Sequence, residues 1–114
     1  MTTANLTMVI RDVAEGVRVV DIEGEITSFS EEEISRAHDK AGDGATAVIL
    51  NFTDLDYMNS GGIGLLVTTL IRAQRSGHAL RAYGLTEHYR QIFALTRLDE
   101  AILIYPDETS AIAG

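Results

Sequence analysis

The sequence predicts an α/β protein with a mostly parallel sheet, and three observations predict it. Strand-like and helix-like stretches alternate along the chain in the order β-β-α-β-α-β-α-β-α. The run Thr46–Phe52, TAVILNF, is apolar at consecutive positions, as suits a strand buried on both faces. Only a short turn separates the first two strand-like runs, so they form a hairpin that adds an antiparallel edge strand to the right-handed crossovers of the rest.

The elements follow in order. Leu6–Asp12 has strand character and Val17–Ile22, VRVVDI, has more of it; the intervening AEG offers Gly16 for a positive φ. Ser28 or Ser30 then caps a helix whose first turn holds Glu31, Glu32 and Glu33, matched to the positive end of the helix dipole. Its inner face is Ile34, Ala37, His38 and Ala41, and AGDG ends it. After the TAVILNF strand, Ile63, Leu66, Val67, Leu70 and Ile71 follow helical spacing up to Gly77. HALRAYG, residues 78–84, reads as the next strand. TEHYRQIFALTRL is a helix capped by Thr86, with Tyr89, Ile92, Phe93 and Thr96 on one face. AILIY is a last strand stopped by Pro106, and DETSAIA a short final helix. No linker or repeat interrupts residues 1–114, so one domain is expected.

Composition narrows the function. The 114 residues include 17 acidic and 9 basic side chains, a formal charge of −8, which argues against binding nucleic acid or an anionic membrane. The acidic surplus gathers at positions 21–43, as either a solvated face or a docking surface for a basic partner. There is no cysteine, hence no disulfide or thiolate metal site, and His38, His78 and His88 lack zinc-site spacing; each reads as an ordinary surface or half-buried residue. No apolar run approaches the ~20 residues of a membrane span, and MTTANLTMVIRD lacks the features of a signal peptide; a cytoplasmic protein is expected.

The stretch Asp56–Gly64, DYMNSGGIG, lies where a strand C-terminus meets a helix N-terminus, the edge at which such folds collect function. Free backbone N–H groups there favour a negative group. Nucleotide binding is one reading, but the glycines run G-G-x-G with no following lysine, unlike a dinucleotide fingerprint or a P-loop. Nucleophilic catalysis is another, but Ser60 has no recognisable base and Met58 stands where a G-x-S-x-G elbow needs glycine. A third is covalent switching: phosphorylation of Ser60 adds a charge that a helix start tolerates and an interface does not. On local sequence alone, a plain N-cap is the simplest reading of Ser60.

The stretch from Val48 to Ile112, preceded by VRVVDIEGEIT, resembles a STAS domain of the bacterial anti-sigma-factor antagonist family. The similarity is most specific at Asp54-Leu55, Tyr57-Met58 and Asn59-Ser60-Gly61-Gly62-Ile63-Gly64, with Phe93, Leu98 and Ile104 as later apolar landmarks. The resemblance implies a non-enzymatic, cofactor-free switch. By that resemblance, the unphosphorylated antagonist would bind an anti-sigma factor, often a GHKL-type serine kinase, and so release the sigma factor. Phosphorylation of the serine matching Ser60 ends the complex, and a PP2C-type phosphatase resets it. Asn59, Gly61 and Gly62 would then shape the loop, the glycines giving room for a partner's backbone and unusual φ values. Thr68, Thr69 and Arg72 would join the interface, with Leu55 and Met58 adding apolar contact or packing in the core. Two positions depart from the family pattern: Asn59 replaces the usual aspartate and Gly61 a second serine or threonine, leaving Ser60 as the loop's acceptor. The same loop would serve a STAS regulator of a non-sigma pathway, or a module that binds without modification; a nucleotide-binding protein is the rival from another class. A monomer or weak dimer is expected.

Overall fold

The structure, a computed structural model, describes residues 5–114. Residues 1–4, the start of the segment read as lacking a signal peptide, lie outside the described residues. Strands β1 (Leu6–Ala14) and β2 (Val17–Ile26) form the expected hairpin, with Gly16 at φ +72° in its turn. A 3₁₀ turn, Ser28–Ser30, leads into α1 (Glu31–Gly42). There follow β3 (Ala47–Met58), α2 (Ser60–Ser76), β4 (Ala79–Tyr83), α3 (Glu87–Leu95), β5 (Leu103–Tyr105) and α4 (Glu108–Ala113). The order is the one the sequence predicts. Neither Ser28 nor Ser30 caps α1 by its side chain. Thr27 caps the 3₁₀ turn instead: its hydroxyl accepts from Phe29 N–H at 3.2 Å, and its own N–H donates to the buried Ser30 hydroxyl at 3.0 Å.

The five strands lie in the order β1-β2-β3-β4-β5, with β1 antiparallel to β2 and the remaining pairs parallel. Because every parallel crossover steps the same way and shares one hand, all three crossover helices fall on one face. There they cover Val20, Ile22, Val48, Leu50, Phe52 and Leu80 with Ile34 of α1, Leu66 of α2 and Phe93 of α3. Phe93 meets Phe52 edge-on, ring centroids 6.2 Å apart, and each fully buried ring contributes about 2–3 kcal/mol of transfer free energy. On α2 the inward positions are Gly62, Leu66, Thr69 and Ala73. Val67 and Ile71, two of the apolar residues that follow the helical spacing, are exposed. The helical period is right, but the packed face is turned by a fraction of a turn, because Thr69 hides its hydroxyl on Leu65 O at 2.8 Å and so tolerates burial.

Strand β3 runs well past the TAVILNF core. It carries one extra residue relative to β2 between Asn51 and Asp54 and another between Leu55 and Tyr57. Such bulges bend a strand tip and re-aim its side chains. With β4 pairing only as far as Asn51, the β2–β3 tip projects beyond the rest of the sheet.

The opposite face is covered by α4 alone, whose Ala111 packs with Val19, Ile49 and Tyr83. A polar chain holds this short helix. Arg11 grips Asp21 with two bonds, 2.6 and 2.9 Å, and reaches Glu108 at 2.6 Å. Asn51 donates to Asp21 at 2.8 Å, Tyr83 donates to Glu108 at 2.5 Å, and Arg81 donates to the carbonyl of Ala111 at 2.9 Å. Asp21, Asn51 and Tyr83 are register partners on β2, β3 and β4, so one row of the sheet supplies three of the links. Bonds from Arg11 hold both the Asp21 and the Glu108 carboxyls below their ordinary range; burial, with the bond to Glu108, raises the Tyr83 hydroxyl. Lowered carboxylate values stabilise the fold above the unfolded value of about 4 and lose that contribution as pH falls through the folded values. Urea titrations between pH 6 and pH 3 should show an acid loss that Arg11→Gln flattens, the variant costing about 1 kcal/mol at pH 7 because the groups are one-third exposed. An unchanged acid limb in the variant would remove this network from the account.

Candidate functional site

Met58 ends β3 with its backbone N–H donating to the Tyr89 hydroxyl of α3 at 2.8 Å, which supplies the bond that β4, already ended, does not. Asn59 N–H donates to Ile26 O at 3.2 Å, closing the β2–β3 tip. The Asn59 side-chain oxygen then accepts from Gly62 N–H at 2.9 Å and caps α2. Asparagine and aspartate are equivalent as caps, so the departure at position 59 keeps the helix start and omits one negative charge beside Ser60. Ser60, which local sequence alone reads as the N-cap, is instead the first residue of α2, one place after the cap, and is exposed at the positive end of a seventeen-residue helix.

The glycines serve a purpose other than the one expected. Neither Gly61 nor Gly62 has a positive φ, and the backbone they admit is this chain's own. A Cβ on Gly62 would stand 2.3 Å from Ile26 O, and one on Gly61 2.9 Å from Ser28 Cβ and 3.1 Å from Ser28 N. The departure at position 61 thus has a physical partner: the 3₁₀ turn lies too close to α2 for a hydroxyl-bearing residue there. Around Gly64, by contrast, there is open space.

Other predicted positions divide by exposure. Met58 is 3% exposed and belongs to the core, as does Thr69, so neither offers a side chain to a partner; Leu55 is half-buried. Thr68 is exposed, donating to Gly64 O at 3.2 Å. Arg72 is engaged across the groove between helices, with Ser35 at 2.8 Å and Asp39 at 2.5 Å. Its fork serves to join α1 to α2. What the sequence reading did not single out is Phe29, 84% exposed on the 3₁₀ turn that abuts Gly61. The signal was an aromatic flanked by two serines just before a charged helix turn. Ser60, Gly64, Val67, Thr68 and Ile71 recur at spacings of three and four and are all exposed, forming one outward stripe along α2. The segments building this end, 22–35 and 52–71, contain seven carboxylates and no Lys or Arg.

The histidines are a correction too. His38 and His78 are buried against each other, and His88 alone of the three is exposed. Among the described residues, no cluster of three or more metal-ligating side chains is arranged to hold an ion, and no helix is long and apolar enough to cross a membrane.

The fold and this helix start define a class of α/β domain, and comparison with known proteins specifies it. A family model described as the STAS domain matches residues 8–111, and the chain belongs to that family. Its fold is shared with an anti-sigma factor antagonist from Mycobacterium paratuberculosis, at 24% identity over 98% of this chain and 97% of that one, TM-score 0.75. It is shared also with the Bacillus cell fate determinant SpoIIAA in its phosphorylated form, at 21% identity over 94% and 97%, TM-score 0.71. A sulfate transporter family protein from Wolinella succinogenes superposes at 16% identity over 90% and 87%, TM-score 0.77. A search of curated proteins by sequence gave no significant match.

Substitutions at the helix start should separate packing from capping. Gly62→Ala should lose roughly 1–3 kcal/mol or more through overpacking against Ile26. Asn59→Ala should lose about 1 kcal/mol, while Asn59→Asp stays near neutral. Gly64→Ala should be stabilising by up to ~1 kcal/mol, having room and better helix propensity. Urea midpoints rank the four; a Gly62→Ala protein as stable as Gly64→Ala would contradict the close approach.

Proposed function

We propose that this protein is an anti-sigma-factor antagonist that works by partner switching. Unphosphorylated, it binds an anti-sigma factor of the GHKL serine kinase type; phosphorylation of Ser60 releases it, and a PP2C-type phosphatase restores it. The observation that carries the reading is an exposed serine opening a helix whose outward stripe includes apolar Val67 and Ile71, with the exposed Phe29 on the turn that abuts Gly61. Singly exposed apolar residues are ordinary, but a stripe continuous with a modifiable serine fits a docking face. Phe29 supplies the aromatic anchor and Thr68 a polar contact at the rim.

The charge balance gives the switch its direction. A phosphate on Ser60 is tolerated by the helix start, since the N–H groups and dipole favour an anion. The seven carboxylates of this end provide no cation to neutralise it, so docking would desolvate an unpaired dianion. The switch therefore acts on the surface and leaves the fold in place. The reading is non-enzymatic, cytoplasmic and confined to one STAS domain: His38 and His78 are committed to each other and do not serve Ser60 as a base. A second reading, a STAS regulator outside sigma control, is favoured by the fold's occurrence in the sulfate transporter family protein.

The test is affinity purification from the source organism with wild type, Ser60→Ala, Ser60→Asp and Phe29→Ala, followed by phosphorylation with the purified partner kinase and ATP. The expected result is a kinase held by wild type and Ser60→Ala and lost by Ser60→Asp, with phosphate appearing on Ser60 and absent from Ser60→Ala. Against the purified kinase, Ser60→Asp should weaken binding by ~100-fold, about 2.7 kcal/mol, and Phe29→Ala by ~10-fold or more. Equal retention of the kinase by wild type and Ser60→Asp would refute switching at Ser60. A retained partner from a transport or other non-sigma system would select the second reading.

A further inference from the structure

His38 lies one turn before the end of α1, and His78 directly follows Gly77, the left-handed cap of α2, just before β4 begins. The two rings meet in the interior with Nε2 to Nε2 3.0 Å apart, and they are 6% and 5% exposed. The fold makes specific room for this contact. Gly42, the last residue of α1, has no Cβ because one there would stand 2.7 Å from Cε1 of His78. Both remaining ring nitrogens, Nδ1 of His38 and Nδ1 of His78, are buried without a hydrogen-bond partner. A packing contact would not need two imidazoles; hydrocarbon would fill the space without stranding polar atoms.

We propose that the His38–His78 pair is a proton-operated tie between α1 and the α2–β4 junction, closed while the rings are neutral and forced apart once both are protonated. The inference is independent of the partner-switching reading. A bond at 3.0 Å between two Nε2 atoms requires one N–H donor and one lone pair, so the closed state holds two protons on four nitrogens. His38 Nδ1 faces Asp39 Oδ1 at 3.6 Å, which favours a proton on that nitrogen. His38 Nε2 is then the acceptor, His78 Nε2–H the donor, and His78 Nδ1 a bare lone pair. A first added proton goes to that lone pair and creates a buried cation with no carboxylate against it. A second must take the lone pair of His38 Nε2, which removes the bond and sets two cations against each other at 3.0 Å. The rings then part.

The charged neighbours are few. On α1 they are Asp39, which faces His38, and Lys40; after it comes Asp43, on the rim of the same surface depression. On α2 Arg72 holds Asp39 at 2.5 Å, and from β2 Arg18 bonds the carbonyls of Ala41 and Asp43. Asp39 is therefore already shared with a permanent cation and does not fully compensate a protonated His38. Burial, only partly opposed by Asp39, lowers the His38 value, with Arg72 adding to the shift; burial and then His38 lower that of His78. Values lowered in the folded state mean that the unfolded chain binds protons the folded chain refuses. The tie thus contributes fully above about pH 6.5 and is lost as pH falls through the lower folded values.

The test is long-range ¹H–¹⁵N NMR of the imidazoles across pH 8 to 4.5, with amide exchange at pH 7.5 and 5.5 corrected for intrinsic rates. At pH 7.5 one ring should carry its proton on Nε2 and the other on Nδ1, and both should titrate below 6.5. Protection at Ala41, Gly42 and Gly77–Leu80 should fall at least ~10-fold at pH 5.5 relative to the core amides of β3. In His38→Gln and His78→Gln, which retain a hydrogen-bonding amide that does not titrate, protection at these positions should not change with pH. Two rings titrating independently at the ordinary histidine value, or the same loss of protection in both glutamine variants, would overturn the proposal. Should the variants fold poorly, the wild-type tautomers and titration decide it alone.

Discussion

Everything in this molecule hangs on four parallel strands laid down in strictly sequential order. Each crossover steps in one direction with one hand, so α1, α2 and α3 must share a face, and α2 sits between its neighbours over the centre of the sheet. That placement is why α1 is tied to α2 by Arg72 with Asp39 and Ser35, and to the α2–β4 junction by His38 with His78. It also leaves the opposite face to six residues of α4, too few to hold themselves by apolar burial. The row Asp21, Asn51 and Tyr83 supplies the polar grip, with Arg11 as its centre.

The same order carries β2 and β3 beyond the end of β4 and fixes where α2 starts. Its first turn is wedged: Gly62 on Ile26, Gly61 on the Ser28 turn, the Met58 N–H on Tyr89. A serine held on so tight a support gains little from being part of a mobile loop. Its surroundings are set in advance, and what a modification changes there is charge. Rigid presentation also explains how Phe29 stands so far out: Thr27 and Ser30 lock the 3₁₀ turn by reciprocal bonds, and the aromatic ring is left on its outside.

Much of this was legible because it is local. The hairpin at Gly16, the cap Thr86, the stop at Gly77 and the doubly buried TAVILNF strand are each written in a few adjacent residues. The STAS resemblance located Ser60 on the same grounds, a motif of contiguous residues. Other features depend on atoms that are far apart in sequence. Gly61 and Gly62 looked like room for a partner, and their purpose is set by Ser28 and Ile26 more than thirty residues earlier. Val67 and Ile71 fit the apolar period, but the packed face was chosen by Thr69, able to bury itself by bonding within its own helix.

The sequence by itself determined the class of fold, the order of its elements, the acidic character of the end where α2 starts and the serine that opens the central helix. Those depend on periodicity, capping chemistry and charge, which are properties of neighbours along the chain. Only the tertiary structure decided which side of α2 is free, that the turn bearing Phe29 abuts Gly61 at the start of α2, and that His38 and His78 are a buried pair. Forty residues separate those two histidines, and no local pattern brings them together; the common hand of the crossovers does.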